Sequence, residues 1–312
     1  MKKFIGYFKD FHQGYYNTSL YTIVFLFIGL LIGINYKFDF EDSIIDSYYG
    51  RSIRIVFYFL IHGIAFYGVL FLMWAHDKNK VNFSGQFFIK SMIGMLILGT
   101  DRAVYPFISD FLISEVPSET YRFYFKVLFN AYGLITIVAT LFLVKLIFDQ
   151  KSGDGFYGIQ FRKVEFKPYW LMLAFMVPII YCATWLPDIV NYYPTYKRVG
   201  GVRFAHFYQV KEWVSVFIYE TVYLLDFFNT ELFFRGFLII GLSKLMGKNV
   251  VLPMVATYAV LHFGKPIGET ISSVFGGYIL GIIALYSRNI WGGVFLHGGI
   301  AFLMEVFAFW NK

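Results

Sequence analysis

Glu231, His262 and His297 have side chains that could move a proton, and all three fall inside apolar stretches of the last third of the chain. A charge at mid-bilayer costs at least ~2.5–3.5 kcal/mol, so an ionisable group kept there is a functional candidate. A carboxylate beside an imidazole can deprotonate a water held between them. A second imidazole can donate to the oxyanion that develops on a scissile carbonyl. One Glu and two His also form a catalytic zinc shell, a use not favoured here, and the same set could relay protons in a transporter.

Helix geometry sets what must position these groups. Glu231 and Arg235 are four residues apart, which puts them on one helical face. Glu220 precedes Glu231 by eleven residues, about three turns, and falls on nearly the same face. In isolation Glu231 and Arg235 read as a charge-neutralising pair. Gly247 and Lys248 mark a turn between this helix and the one ending at His262. At 1.5 Å per residue, Glu231 and His262 each lie roughly 16–18 Å from that turn and so share a depth. A second turn at Ser287-Arg288-Asn289 puts His297 roughly 10 Å into the final helix. Three helices can therefore bring one carboxylate and two imidazoles together. Gly277 and Gly281 make a small-x-x-x-small pair in the same region, which allows helix backbones to approach closely.

The solvent follows from composition. Hydrophobic residues make up 58% and charged residues 15%, too little polar surface for a soluble protein of 312 residues. Apolar runs at 20–36, 53–74, 87–105, 123–147, 169–186, 213–242, 250–262, 270–286 and 290–310 predict an all-α, polytopic transmembrane helical bundle of about eight to nine membrane segments. Stretches 39–51, 77–85 and 149–167 read as ordinary loops. Stretch 187–211 is the longest linker, with Tyr192, Tyr193 and Tyr196 suggesting an interfacial segment. The net charge of +7 comes from Lys and Arg clustered between apolar runs, which fits orientation and anionic headgroups rather than nucleic acid. Lys2, Lys3, Lys9, Lys78, Lys80, Lys151, Arg162, Lys163, Lys167, Lys244 and Lys248 favour a cytoplasmic N-terminus, a bias blunted by Lys197, Arg198, Arg203 and Lys211 on the other side. Nothing in the lead-in to Gln13 resembles a cleavable signal peptide.

Other intramembrane polar groups have plainer readings. Arg54, Lys90, Lys126 and Lys145 sit near span ends and are expected to snorkel. His62 reads as a hydrogen-bonded packing residue, Asp101-Arg102 as an interface marker or interhelical pair, and Cys182 as a packing residue. A transporter predicts a second similar half or paired broken helices, and the sequence shows neither.

Glu231-Leu232-Phe233-Phe234-Arg235, then Tyr258-Ala259-Val260-Leu261-His262, then His297-Gly298-Gly299-Ile300-Ala301 resemble the three motifs of the CPBP intramembrane proteases. These are the CAAX prenyl endopeptidases and bacteriocin-processing enzymes, with motifs Glu-Glu-x-x-x-Arg, Phe-x-x-x-His and His-x-x-x-Asn or Asp. The resemblance covers roughly 213–310, and residues 157–161 look like what precedes the core in bacterial members. It implies N-terminal membrane helices and loops over 1–168, a protease core over 169–312, and residence in a bacterial cytoplasmic membrane. It further implies Glu231 and His262 activating water, His297 in the oxyanion hole, Arg235 and Tyr258 in support, and no required metal. The expected partners are membrane lipid and a membrane-associated or prenylated peptide or protein. Two positions depart from the pattern: Thr230 stands where the first glutamate belongs, and Ala301 where the amide belongs. Glu220 is the candidate replacement for the missing carboxylate. The departures leave a second reading, a catalytically impaired member acting in binding, immunity or scaffolding.

Overall fold

The computed structural model describes residues 2–78, 81, 83–150, 153–160 and 164–311. Lys80, Lys151, Phe161, Arg162 and Lys163 lie outside that set. The chain begins with α1 (Lys2–His12), α2 (Thr18–Phe38), α3 (Ile53–His76) and α4 (Gly85–Arg102). Next come α5 (Tyr105–Glu115), α6 (Ser118–Gly133), α7 (Thr140–Phe148) and, after a loop, α8 (Lys167–Ala183). Three short helices follow: α9 (Pro187–Tyr192), α10 (Thr195–Arg198) and α11 (Gly201–Phe207). α12 (Glu212–Glu231) runs directly into a π-wound stretch, Leu232–Gly241. The chain closes with α13 (Ser243–Met246), α14 (Val251–Leu261), α15 (Ile267–Ser287) and α16 (Trp291–Trp310).

The protein is a polytopic helical membrane protein. Among the described residues, six runs are long and apolar enough to cross a bilayer: Thr18–Phe38, Ile53–His76, Ser118–Phe148, Glu212–Leu261, Ile267–Ser287 and Trp291–Trp310. The expectation of eight or nine segments also counts α4, α8 and two legs of the Glu212–Leu261 run. α4 carries Lys90, Asp101 and Arg102, and α8 has only 17 residues. The 50-residue run, if straight, would span roughly 75 Å against a ~30 Å hydrocarbon core. It folds back at Gly247, whose φ of 56° suits a residue without a Cβ, so that α14 packs on Leu232–Gly241.

The helices gather into two compact units. The first comprises Met1–Ala103, Ala139–Phe161 and Leu232–Ile290. Here Gly99 brings α4 onto α3: a Cβ on it would lie 2.7 Å from the Ile55 carbonyl oxygen. Lys90 does not snorkel. It is 1% exposed and donates to Asp149 at 2.7 Å and to the Gly241 carbonyl at 3.2 Å. The Tyr157 hydroxyl donates to the same Asp149 carboxylate. Arg54 is likewise buried, donating to Asp46 and Tyr58. His62 is the packing residue expected, its Nδ1–H donating to the Tyr58 carbonyl at 2.7 Å.

Stretch 39–51 is not an ordinary loop. It is wound into a π turn, Phe40–Ile45, and a 3-10 turn, Asp46–Tyr48. Within it Glu41 is buried and accepts from the Tyr58 hydroxyl at 2.8 Å and from Arg102 at 2.9 Å. The neutralising guanidinium comes from 61 residues away, which no local reading of an acidic loop reveals. The lead-in before the first span is also structured: α1 buries Phe4 and Phe11 and packs on α15.

The second unit comprises Val104–Val138, Arg162–Glu231 and Trp291–Lys312. α12 packs on α6, α11 and α16, and α16 packs on α8. The core is aromatic, built from Phe123, Tyr196, Phe204, Tyr219, Tyr223 and Phe227. Tyr193 and Tyr196, expected at an interface, are instead buried, and the Tyr196 hydroxyl bonds Ser215 Oγ at 2.7 Å. Cys182 is exposed rather than packed.

Between α7 and α8, Asp154 accepts from Arg288 Nε at 3.0 Å and Nη2 at 2.6 Å and faces Lys244 at 3.2 Å. Hydrogen bonds from Arg288 first, then the charges of Arg288 and Lys244, hold the Asp154 carboxyl down at about 2. A carboxyl with a depressed folded pKa stabilises the fold above its unfolded pKa and loses that contribution as pH falls through the folded value. Asp154→Asn should therefore destabilise the detergent-solubilised protein at pH 7 by ~1 kcal/mol, at the lower end for a charged hydrogen bond near the surface. In thermal unfolding followed by circular dichroism, the gap to wild type should close as pH drops from 4 toward 2.

Candidate active site

The two units hold different parts of the expected residue set. Glu220, Thr230, Glu231, His297 and Ala301 lie in the second unit, and Arg235, Tyr258 and His262 in the first. The chain passes from one unit to the other between Glu231 and Leu232.

In the second unit α12 and α16 pack together, and their facing residues recur at helical spacing. Gly293, His297, Ala301 and Glu305 follow one another by one turn along α16. Glu231 is 0% exposed, and its Oε1 lies 3.0 Å from His297 Nδ1. A carboxylate only accepts, so Nδ1–H donates and the neutral ring keeps its lone pair at Nε2. The His297 side chain is 15% exposed, so the ring sits at the edge of the packed interior. Phe227, one turn before Glu231, meets the imidazole edge-on with centroids 4.6 Å apart. A carboxylate-oriented imidazole of this kind can take a proton at Nε2, or donate one once charged.

Gly293 makes room for the pair. A Cβ placed on it would collide with Glu231 Oε2, so a side chain there would force the carboxylate to shift from its place against His297. One turn beyond His297, Ala301 is buried in the aromatic cluster with Tyr223 and Phe227. Its methyl supplies packing and no hydrogen-bond donor. Thr230 is half-buried beside Glu231.

Glu220 lies well along α12 from the pair. α12 is regular between the two residues, so eleven residues place Glu220 roughly 16 Å along the helix from Glu231. Both Glu220 carboxyl oxygens are inaccessible, with no hydrogen-bond partner among the described residues. Two further polar residues escaped the sequence reading. Glu305 is buried, its Oε1 accepting from Thr195 N at 2.8 Å and from the Thr195 hydroxyl; its spacing of eight from His297 was the available signal. Asn229 is 0% exposed, and its amide lies against Gly133 of α6, where a Cβ would come within 2.5 Å of Nδ2.

In the first unit Arg235 lies on the π-wound stretch that begins directly after Glu231. The Arg235 guanidinium carbon sits 4.2 Å from the centroid of the Tyr258 ring. Tyr258 meets the His262 ring at 4.6 Å, edge to face. His262 follows the last residue of α14, and its Nδ1–H donates to the Tyr258 carbonyl at 2.8 Å, leaving Nε2 as the basic nitrogen. His62 and His12 make the same bond to the carbonyl four residues back, so this tie alone marks no function. Among the described residues, no three His, Cys, Asp or Glu side chains form a metal-ligating group.

Residues 204–303 match the family model described as type II CAAX prenyl endopeptidase Rce1-like. The resemblance to CPBP intramembrane proteases is thereby borne out over a region holding all three motifs. No curated protein and no solved structure matches the chain.

The clearance at Gly293 gives a direct prediction. Gly293→Ala should cost ~1–3 kcal/mol of stability by overpacking against Glu231. Gly298→Ala, whose Cβ would meet only Leu224 at an ordinary 3.7 Å, should be neutral or gain up to ~1 kcal/mol from helix propensity. Thermal unfolding of both variants in one detergent checks the contrast; equal effects would contradict it.

Proposed function

We propose that this protein is a CAAX-type intramembrane endopeptidase of a bacterial cytoplasmic membrane, cutting a membrane-associated or prenylated peptide. The observation that carries the reading is the Glu231–His297 hydrogen bond at 3.0 Å, formed by a fully buried carboxylate inside the family-matched region. Such a pair hydrolyses by holding a water against a peptide carbonyl. In the proposed reaction a basic group of the Glu231, His297 and His262 set takes the water proton as oxygen attacks the carbonyl carbon. The oxyanion is met by an imidazolium N–H, and the proton is returned to the leaving amine as the C–N bond breaks. Arg235 and Tyr258 hold the His262 ring in place. A low local dielectric strengthens each interaction.

Ala301 supports a second reading. It packs in the aromatic cluster and offers no donor, and losing one oxyanion donor typically costs ~10²–10³ in rate. Thr230 is no base at neutral pH. A protein with both changes would bind the peptide and cut it slowly or not at all.

Cleavage of a prenylated or transmembrane peptide by detergent-purified protein separates the two. The protease reading predicts turnover that falls by at least ~10³ in Glu231→Gln and in His262→Ala, as for members of a catalytic unit. The binding reading predicts no wild-type turnover, unchanged peptide affinity, and turnover gained by Thr230→Glu with Ala301→Asn. Turnover undiminished by both single substitutions would remove these residues from the reaction.

A further inference from the structure

We propose that the groove between α1 and the start of α2 binds one anionic phospholipid, with its phosphate at Lys9, Gln13 and Tyr16 and its acyl chain along Phe25 and Leu26. Two adjoining depressions share His12 and Tyr16. One is rimmed by Lys9 and Gln13. The other descends along α2 past Thr18 and Thr22 to Phe25 and Leu26. These α2 residues recur at i, i+4, i+7 and i+8, so they share one helical face. Phe25 and Leu26 lie roughly 10–12 Å beyond Thr18 along the axis. Polarity therefore changes in the order an amphiphile requires: ammonium and amide, then hydroxyls, then hydrocarbon.

The wall of the groove is fixed by its own hydrogen bonds. The His12 Nδ1–H donates to the Phe8 carbonyl at 2.6 Å, so Nε2 accepts from the Tyr278 hydroxyl at 2.9 Å. The Tyr278 oxygen in turn accepts from Tyr21 at 2.9 Å. The rim is different: the Lys9 ammonium, Gln13 amide and Tyr16 hydroxyl make no hydrogen bond or ion pair with any described residue. Tyr16 is 52% and Leu26 68% exposed, so both ends of the groove are open.

Charge decides the occupant. α1 carries Lys2, Lys3 and Lys9 against one carboxylate, Asp10. Asp10 is next to Lys9 in sequence and so points about 100° round the helix from it. Ile5, Lys9 and His12 fall at i, i+4 and i+7 on one face, with Ile5 61% exposed. A basic, aromatic-rich helix lying ahead of an apolar span matches an anionic headgroup, and a choline headgroup would place its own cation near Lys9.

The test is native mass spectrometry of the full chain in detergent, titrated with phosphatidylglycerol or phosphatidylcholine. One phosphatidylglycerol should bind at least ~5-fold more tightly than phosphatidylcholine, the factor expected from one lysine near a lipid phosphate. Lys9→Glu should remove that preference, and Leu26→Trp should block the groove and lower retention of both lipids. Lys37→Glu, at the far end of α2, should leave binding unchanged. Glycerol 3-phosphate should not compete; full competition would mean a headgroup site alone and overturn the acyl-chain assignment. Equal retention of the two lipids by wild type would overturn the proposal, as would phosphatidylglycerol binding undiminished in both groove variants. If Lys9→Glu fails to fold, the proposal stands or falls on whether Leu26→Trp retains less phosphatidylglycerol than wild type.

Discussion

A carboxylate shut away from water has to be met by a donor, and for Glu231 that donor is the His297 ring. Removing one partner of such a pair leaves a buried polar group unsatisfied and typically costs ~1–3 kcal/mol, so the neighbouring structure is bound to preserve the contact. Gly293 is one consequence, since a Cβ there would push the carboxylate from its place. Phe227 is another, since its edge contact limits the orientation of the ring. Ala301 continues the same face into the aromatic core that holds α12 against α16. The chemistry of the region thus rests on the Glu231–His297 hydrogen bond and on the packing that keeps its two helices together.

The same rule organises the rest of the protein. Lys90 is tied to Asp149, Glu41 to Tyr58 and Arg102, and Glu305 to Thr195. Each tie anchors a connecting segment to a helix. Chain outside the helices is therefore fixed by charges that an apolar interior would otherwise expel. Glu220 stands apart, with both oxygens inaccessible and no hydrogen-bond partner among the described residues. It lacks the tie that the other buried carboxylates have.

Much of the site was legible because helical spacing is local. The turn at Gly247, the turn at Ser287-Arg288-Asn289, and the order Glu231, His262, His297 all follow from periodicity and punctuation in the sequence. The family-matched region contains all three motifs. What escaped the sequence depended on winding or on distant partners. A π-wound stretch begins directly after Glu231, and nothing in Leu-Phe-Phe-Arg-Gly announces it. Stretch 39–51 looks solvated because its partner Arg102 is far along the chain. Lys90 looks able to snorkel until Asp149 is seen beside it. Cys182 looks packed until its helix is seen to present it outward. Glu305 was visible as a residue, but its partner Thr195 lies in a linker that read as interfacial.

The central claim is that Glu231 and His297 act as one unit, and a double-mutant cycle measures that most directly. Glu231→Ala, His297→Ala and the double variant would be unfolded thermally in the same detergent as wild type. If the two side chains share a buried hydrogen bond, the double variant should lose less than the summed single losses, with a coupling of about 1–3 kcal/mol. Losses that add within ~0.5 kcal/mol would mean the two residues do not depend on one another, and would contradict the account.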